Sequence, residues 1–496
     1  MNQLKNTSKI KLITWIVFGC FALLNLLIPL VNHYLFRTFT WDYGTYNFAF
    51  YDYAHFRVSP CPLYSIFVPY GISFIQDHVS ITLILFAPFY WLLTPFTHTY
   101  TLLILQWAFV LYGAWATHRL IFYKFKNEWF ALLALVYYFV LFGRFSMHHS
   151  DCNLAIIGAS MLPVFFYYFE TKNRTGMILS FLFLCLNRED MPLCLGFIGL
   201  YLAIAHRKDK QQLRLGILIS IVSLLFFFFI FAFIIPALED ENKKFNLFDY
   251  SVLGANPIEA IRFLMVNPGK AISYLFYNHS NDPNNDWLKA SFYIVYGLSG
   301  GIILFFRPLI FLCFLPIVAK KMYNDTTFRW GYETYYSIEI ASLLPILVFS
   351  IIGNIKINKH KIFSACIVCI VCMGVTYYCI NNSNNGGLSN IKYFFYKPEF
   401  YRSHLNSNLV HKLLNEIPDS AAISASDNMV AHLSQRKKIY HFPYIDDASI
   451  VCVDRQSNTY PVMPDKFNEE LNKLILDPSW KLEAVSGTFY LLKRVR

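Results

Sequence analysis

Long apolar runs broken by short polar interruptions occupy most of this chain. The stretches 11–30, 102–116, 215–235 and 362–380 each approach the roughly 20 residues that a helix needs to cross a hydrocarbon layer. The pattern predicts an all-α polytopic membrane protein over residues 1–380. Spans are expected at about 11–30, 100–121, 129–145, 153–170, 176–187, 191–206, 214–237, 290–306, 308–319, 336–353 and 361–380, about eleven transmembrane helices.

One further apolar stretch, 81–96, decides the threading. It is short, with Pro88 and Pro95 near its ends, and it reads as an interfacial or re-entrant helix rather than a span. With it outside the count, the basic loops around Arg119–Lys126, Lys172–Arg174 and His206–Lys208 all fall on the cytoplasmic side, as positive charge in short loops requires. Lys5, Lys9 and Lys11 place the N-terminus there too. Lys320 and Lys321 fall on the outer side, against the rule. Two outer loops follow, 31–99 and 238–289, the second carrying Glu239-Asp240-Glu241.

The pattern changes after residue 380. The Asn/Ser/Gly-rich stretch 381–390 reads as a linker. Residues 391–496 then read as a small soluble α/β domain on the extracytoplasmic side, with strands near 421–425, 450–453 and 489–493 and an amphipathic helix over 465–475.

Composition agrees with this division. Of 496 residues, 56% are hydrophobic and only 15% charged, against about 25% charged in soluble chains. The net charge of +11 sits mostly in residues flanking spans, so it reports orientation and contact with anionic headgroups, and nucleic acid is excluded as a partner. The 11 cysteines lie largely within apolar segments, where a thiol acts as a small hydrophobe.

Carboxylates gather at the span ends of the outer face. Asp42 follows the first span and could accept a proton from an attacking hydroxyl; the plain alternative is a helix cap. Asp77 could ligate a metal and His78 could meet phosphate oxygens, although capping explains that pair equally well. His148, His149 and Asp151 close the third expected span, and adjacent histidines do not converge on one ion from a helix. Arg188-Glu189-Asp190 is the sharpest cluster, because ionisable groups at membrane depth are costly unless paired or functional. Arg188 could fork onto phosphate, while Glu189 or Asp190 holds a metal or a sugar hydroxyl. A short, self-neutralising hairpin is the plain alternative. Arg329, Tyr335-Tyr336 and Glu339 are lesser candidates.

The order of these motifs resembles a family of bacterial membrane proteins, the domain of unknown function 2079. It carries an Asp after span one, an Asp-His before a Leu85-Phe86-Ala87-Pro88 stretch, a His motif after span three and an Arg/Lys-Glu-Asp motif. A C-terminal string adds specificity: Ile417-Pro418-Asp419-Ser420-Ala421, Ser426-Asp427-Asn428, His432-Leu433-Ser434, Arg436 and Ile439-Tyr440-His441-Phe442-Pro443. The layout is similar to the GT-C superfamily of membrane glycosyltransferases.

That resemblance implies a GT-C-like fold in the bacterial plasma (inner) membrane, at the cell envelope. It implies transfer of a sugar from a polyprenyl-phosphate donor to an unknown acceptor on the extracytoplasmic face. Asp42 is then the catalytic base; Arg188, His78 and His149 bind phosphate or substrate; Asp77, Glu189, Asp190 and Asp151 ligate a metal or substrate. A divalent ion, magnesium or manganese, is the expected cofactor, and membrane lipid is the expected partner. Trp41 replaces the family's more usual Phe before Asp42, and Arg188 stands where Lys is common. Two other readings use the same residues. A lipid or solute transporter or flippase needs ionisable groups at mid-membrane and paired repeats, and none is visible. A non-catalytic scaffold predicts that the acidic clusters affect only stability.

Overall fold

A computed structural model describes residues 2–68, 71–239, 248–382 and 390–495. The backbone is mostly helical. Helix α1 (Asn2–Tyr34) leads into a tight turn and α2 (Thr45–Ala54). Then come α3 (Thr82–Thr97), α4 (Thr101–Phe125), α5 (Glu128–Val140), α6 (Leu154–Glu170), α7 (Arg174–Asn187), α8 (Met191–Ala205) and α9 (Lys210–Phe229). Helices α10 (Pro257–Val266), α11 (Pro268–Phe276), α12 (Asp286–Leu298) and α13 (Leu315–Met322) follow. Helices α14 (Ile338–Ile352) and α15 (Asn358–Asn382) complete the apolar part.

Five helical segments among the described residues are long and apolar enough to cross a membrane: Ser8–Tyr34, Thr82–Phe125, Lys210–Leu238, Tyr335–Ile352 and Asn358–Asn382. A sixth arises if Glu128–Val140 and Gly143–Ser150, bent by 48°, are one broken span. Helices α6, α7 and α8 are apolar but shorter. Besides that bent pair, two further expected spans do not form as continuous helices. In place of 290–306, α12 stops at Leu298 because Gly300 takes φ 125°, and a 3-10 segment follows at Gly301–Phe306. In place of 308–319, Pro308 opens a second 3-10 segment to Cys313, and the short α13 begins only at Leu315.

The stretch 81–96 is a helix, α3, joined to α4 through a 3-10 turn at His98–Tyr100. The segment 238–289 is partly helical, through α10 and α11. Asp240 and Glu241 lie outside the described residues, as does most of the expected 381–390 linker.

The C-terminal region carries α16 (Ser407–Asn415), β1 (Ile423–Ala425), α17 (Asp427–Leu433), β2 (Ile439–His441), β3 (Ile450–Asp454), α18 (Pro464–Leu476), β4 (Trp480–Ser486) and β5 (Phe489–Arg494). Its sheet runs β2-β1-β3-β5-β4. Strand β1 pairs in parallel with β2 and β3, registering Ile423 with Ile439 and Ile450, and the β5 pairs are antiparallel. Strands β1, β2 and β3 are buried along their whole length, which suits the continuous apolar character of parallel strands.

This region shares a core with the segment that follows α1. Phe36, Phe48, Leu63 and Ile72 pack in one cluster with Val410, Ile423, Met429 and Val430. Gly44 permits the contact: a Cβ there would lie 2.9 Å from Val430 Cγ1. The α/β region therefore sits against the segment that carries Asp42.

Candidate active site

Asp42 stands in a sharp turn between Phe39 and α2. Its backbone, at φ 71° and ψ −80°, has γ-turn geometry, which costs on the order of 1–3 kcal/mol and needs surrounding contacts to hold it. The C-terminal region supplies them. Thr40 N donates to Asp427 Oδ1 at 2.8 Å, and Thr40 Oγ1 donates to Asp427 O at 3.1 Å. Asn458 Nδ2 donates to the other Asp427 oxygen at 3.0 Å, and the Trp41 ring stacks against His441 at 5.3 Å. On the same side His33 stacks on His432 at 3.9 Å. The C-terminal string singled out by resemblance thus clamps the Asp42 turn.

The Asp42 carboxylate accepts one hydrogen bond from Asn153 Nδ2 at 3.1 Å. Asn153 is fixed in turn, since its backbone N–H donates to Gln106 Oε1 at 2.9 Å. Burial pushes the Asp42 carboxyl up to about 6, with His78 and Arg188 pulling it back down and Asp151 and Asp77 adding to the rise. A carboxyl near that value is suited to take a proton at neutral pH.

Asp77, His78, Arg188, Glu189 and Asp190 form a continuous group around it. His78 lies between two carboxylates, Nε2 3.7 Å from Asp77 Oδ2 and Nδ1 3.8 Å from Glu189 Oε1. Burial alone would lower this imidazole, but Asp77 and Glu189 outweigh it and hold it above its ordinary value. Tyr64 donates its hydroxyl to Asp77 Oδ2 at 2.8 Å.

Arg188 leaves α7 in an extended conformation. Gly158 of α6 brings α7 close, for a Cβ there would meet Asn187 Nδ2 at 2.4 Å. The guanidinium lies 3.7 Å from Glu189 Oε1 and 3.6 Å from Asp190 Oδ1, both longer than a hydrogen bond. Its Nε is buried without a hydrogen-bond partner. Despite burial, Asp190 and Glu189 keep it firmly charged.

The sequence reading missed the next member. Lys320 of α13 donates to Asp190 Oδ2 at 2.6 Å and to Glu339 Oε1 at 3.0 Å. Burial works against its charge, and Asp190 and Glu339 more than restore it. Lys321 donates to the Gly331 carbonyl at 2.6 Å. The two lysines that broke the charge rule are thus internal ligands of the fold and add little to loop charge. That violation was the available signal.

Three buried carboxylate oxygens in this group, Glu189 Oε2, Asp190 Oδ1 and Glu339 Oε2, have no hydrogen-bond partner. Buried acceptors left in this state call for donors. Hydroxyl groups of a bound molecule would supply them. A divalent ion fits less well. Among the described residues no three His, Cys, Asp or Glu side chains gather as a metal-holding set.

Asp151 and His149 part from this group. Asp151 accepts from Lys392 Nζ at 2.6 Å and from Phe39 N at 3.1 Å, bracing the back of the Asp42 turn. Burial raises its carboxyl to about 6, against the pull of Lys392. His149 lines a separate cavity of about 400 Å³, with Arg37, Lys392 and Arg402. His148 is buried with neither ring nitrogen bonded.

A family described as predicted membrane protein (DUF2079) matches residues 32–473. No curated protein matches the chain. Among solved structures the chain is similar to the oligosaccharyltransferase of Archaeoglobus fulgidus tethered to an acceptor peptide. That similarity has a TM-score of 0.40 and 10% identity, and it covers 88% of this chain and 69% of that one.

Proposed function

The chain belongs to the DUF2079 family of predicted membrane proteins, and from that premise we propose that it is a membrane glycosyltransferase acting on a polyprenyl-phosphate sugar. The juxtaposition of Asp42 and Arg188 carries this reading: a carboxyl held near 6 feels the charge of a buried guanidinium that lacks a hydrogen-bond partner on Nε. The acceptor's hydroxyl gives its proton to Asp42 while its oxygen attacks the anomeric carbon. The bond from that carbon to the phosphate oxygen breaks, and the released polyprenyl phosphate keeps the electron pair. Arg188 neutralises the charge that develops on the leaving phosphate, and His78, beside Glu189, supports it. The unpartnered oxygens of Glu189, Asp190 and Glu339 accept from the sugar hydroxyls. The extracytoplasmic leaflet is the side that the charge rule assigns to this site.

The test is consumption of undecaprenyl-phosphate glucose or mannose by purified protein in liposomes, read as release of undecaprenyl phosphate. Asp42→Asn is expected to abolish release with the fold intact, because the amide keeps the carboxyl's shape. Release by wild type that Asp42→Asn leaves unchanged would remove Asp42 as base. A wild type that consumes neither lipid would remove the glycosyl-transfer reading for these donors.

A further inference from the structure

A groove of about 560 Å³ runs along α7 and α9, away from Asp42. Helix α6 is capped beside Asp42 by Asn153 and ends at Glu170, about 25 Å away at 1.5 Å per residue. The groove's mouth lies at that far end, where the charge rule places the cytoplasmic side. Its walls are apolar: Ile178 and Leu218, each about half exposed, face it with neighbouring Phe and Leu side chains. Its mouth is basic. Lys172, Arg174 and Arg214 line it, and only Lys172 is paired, 2.8 Å from Asp209 Oδ2. Arg174 and Arg214 are exposed and enter no ion pair among the described residues.

One buried polar group in the lining lacks a partner. Gln212 is 4% exposed; its Nε2 donates to the Phe169 carbonyl at 3.2 Å, while Oε1 is buried with no hydrogen bond. The site therefore offers two free guanidinium groups, an acceptor that needs a donor, and an apolar trough running along two membrane helices.

We propose that this groove is a specific site for an anionic phospholipid with a hydroxyl-bearing head, of the phosphatidylglycerol type. The phosphate sits between Arg174 and Arg214, a head hydroxyl donates to Gln212 Oε1, and an acyl chain lies against Ile178 and Leu218. A bare phosphate would satisfy the arginines and leave the trough unfilled. A zwitterionic choline head brings no donor for Gln212, and its ammonium opposes the arginines.

Full-length protein in mild detergent, titrated with equal amounts of phosphatidylglycerol and phosphatidylcholine of the same acyl chains, tests this by native mass spectrometry. Wild type is expected to retain phosphatidylglycerol preferentially, and the preference should fall about fivefold for each arginine removed in Arg174→Ala and Arg214→Ala. Leu218→Trp fills the trough without touching charge and should weaken retention while the protein keeps its melting temperature. Equal retention of both lipids by wild type would overturn the proposal, as would a preference unchanged in the double arginine variant. Displacement of the lipid by millimolar inorganic phosphate would also overturn it, reassigning the mouth to a soluble anion.

Discussion

Lys320 Nζ lies 2.6 Å from Asp190 Oδ2, joining a short helix to the loop between α7 and α8 across 130 positions of sequence. Because Glu339 shares the same ammonium, Lys320 balances two carboxylates that would otherwise repel beside Arg188. The Lys320–Asp190 pair is partly buried, so removing one partner leaves a poorly compensated charge at roughly 3 kcal/mol or less. Lys320→Met should therefore lower stability by about that amount in thermal or denaturant unfolding. Adding Asp190→Asn should recover part of the loss. A single variant as stable as wild type would show that the pair contributes nothing.

The acid limb of the proposed reaction should belong to Asp42. Below about 6 its carboxyl keeps its proton and cannot accept another, so kcat/KM should rise through about 6 and level off above it. Arg188 is one of the charges that favour the carboxylate, so Arg188→Gln should move the limb to higher pH as well as weaken donor binding. A limb that stays fixed in Arg188→Gln would assign it to another group.

Asp427 acts on Asp42 through Thr40. Asp427→Ala should release the γ-turn and lower kcat about 10- to 100-fold, since small misplacements of a reacting group cost that much. The acid limb should persist, and Asp427→Asn should recover part of the rate, because its amide oxygen can still accept from Thr40 N. A change in stability alone, with kcat intact, would make the clamp purely structural.

Lys392 ties the α/β region to the membrane helices through Asp151, with both side chains buried. Lys392→Met should destabilise the protein by roughly 3 kcal/mol, read as a lower thermal-unfolding midpoint. Adding Asp151→Asn should recover part of the loss. A wild-type midpoint in Lys392→Met would show that the apolar contacts around Phe36 and Val430 suffice.

The sequence alone determined what depends on local pattern. Apolar run lengths made this a membrane protein, and the local apolar pattern after residue 390 located strands β1, β3 and β5 and helix α18 to within two residues or so. Strand β4 is largely exposed, so it carries no clear apolar pattern; β2 is as short as β1 and no strand was expected there. Run length also overcounted spans, because it cannot see a glycine at φ 125° ending α12. Asp42, Asp77, His78 and Arg188-Glu189-Asp190 stood out because charge at the end of a greasy segment is conspicuous wherever it lies.

The tertiary structure alone decided which of these charges meet. Asp151 finds Lys392 at 241 positions' distance, and His149 turns into a different cavity, although both had seemed to belong with Arg188. Lys320, an anomaly in the charge count, became the counter-ion of the site. Ion pairs in a low-dielectric interior are set by which segments pack together, and no periodicity along the chain encodes that.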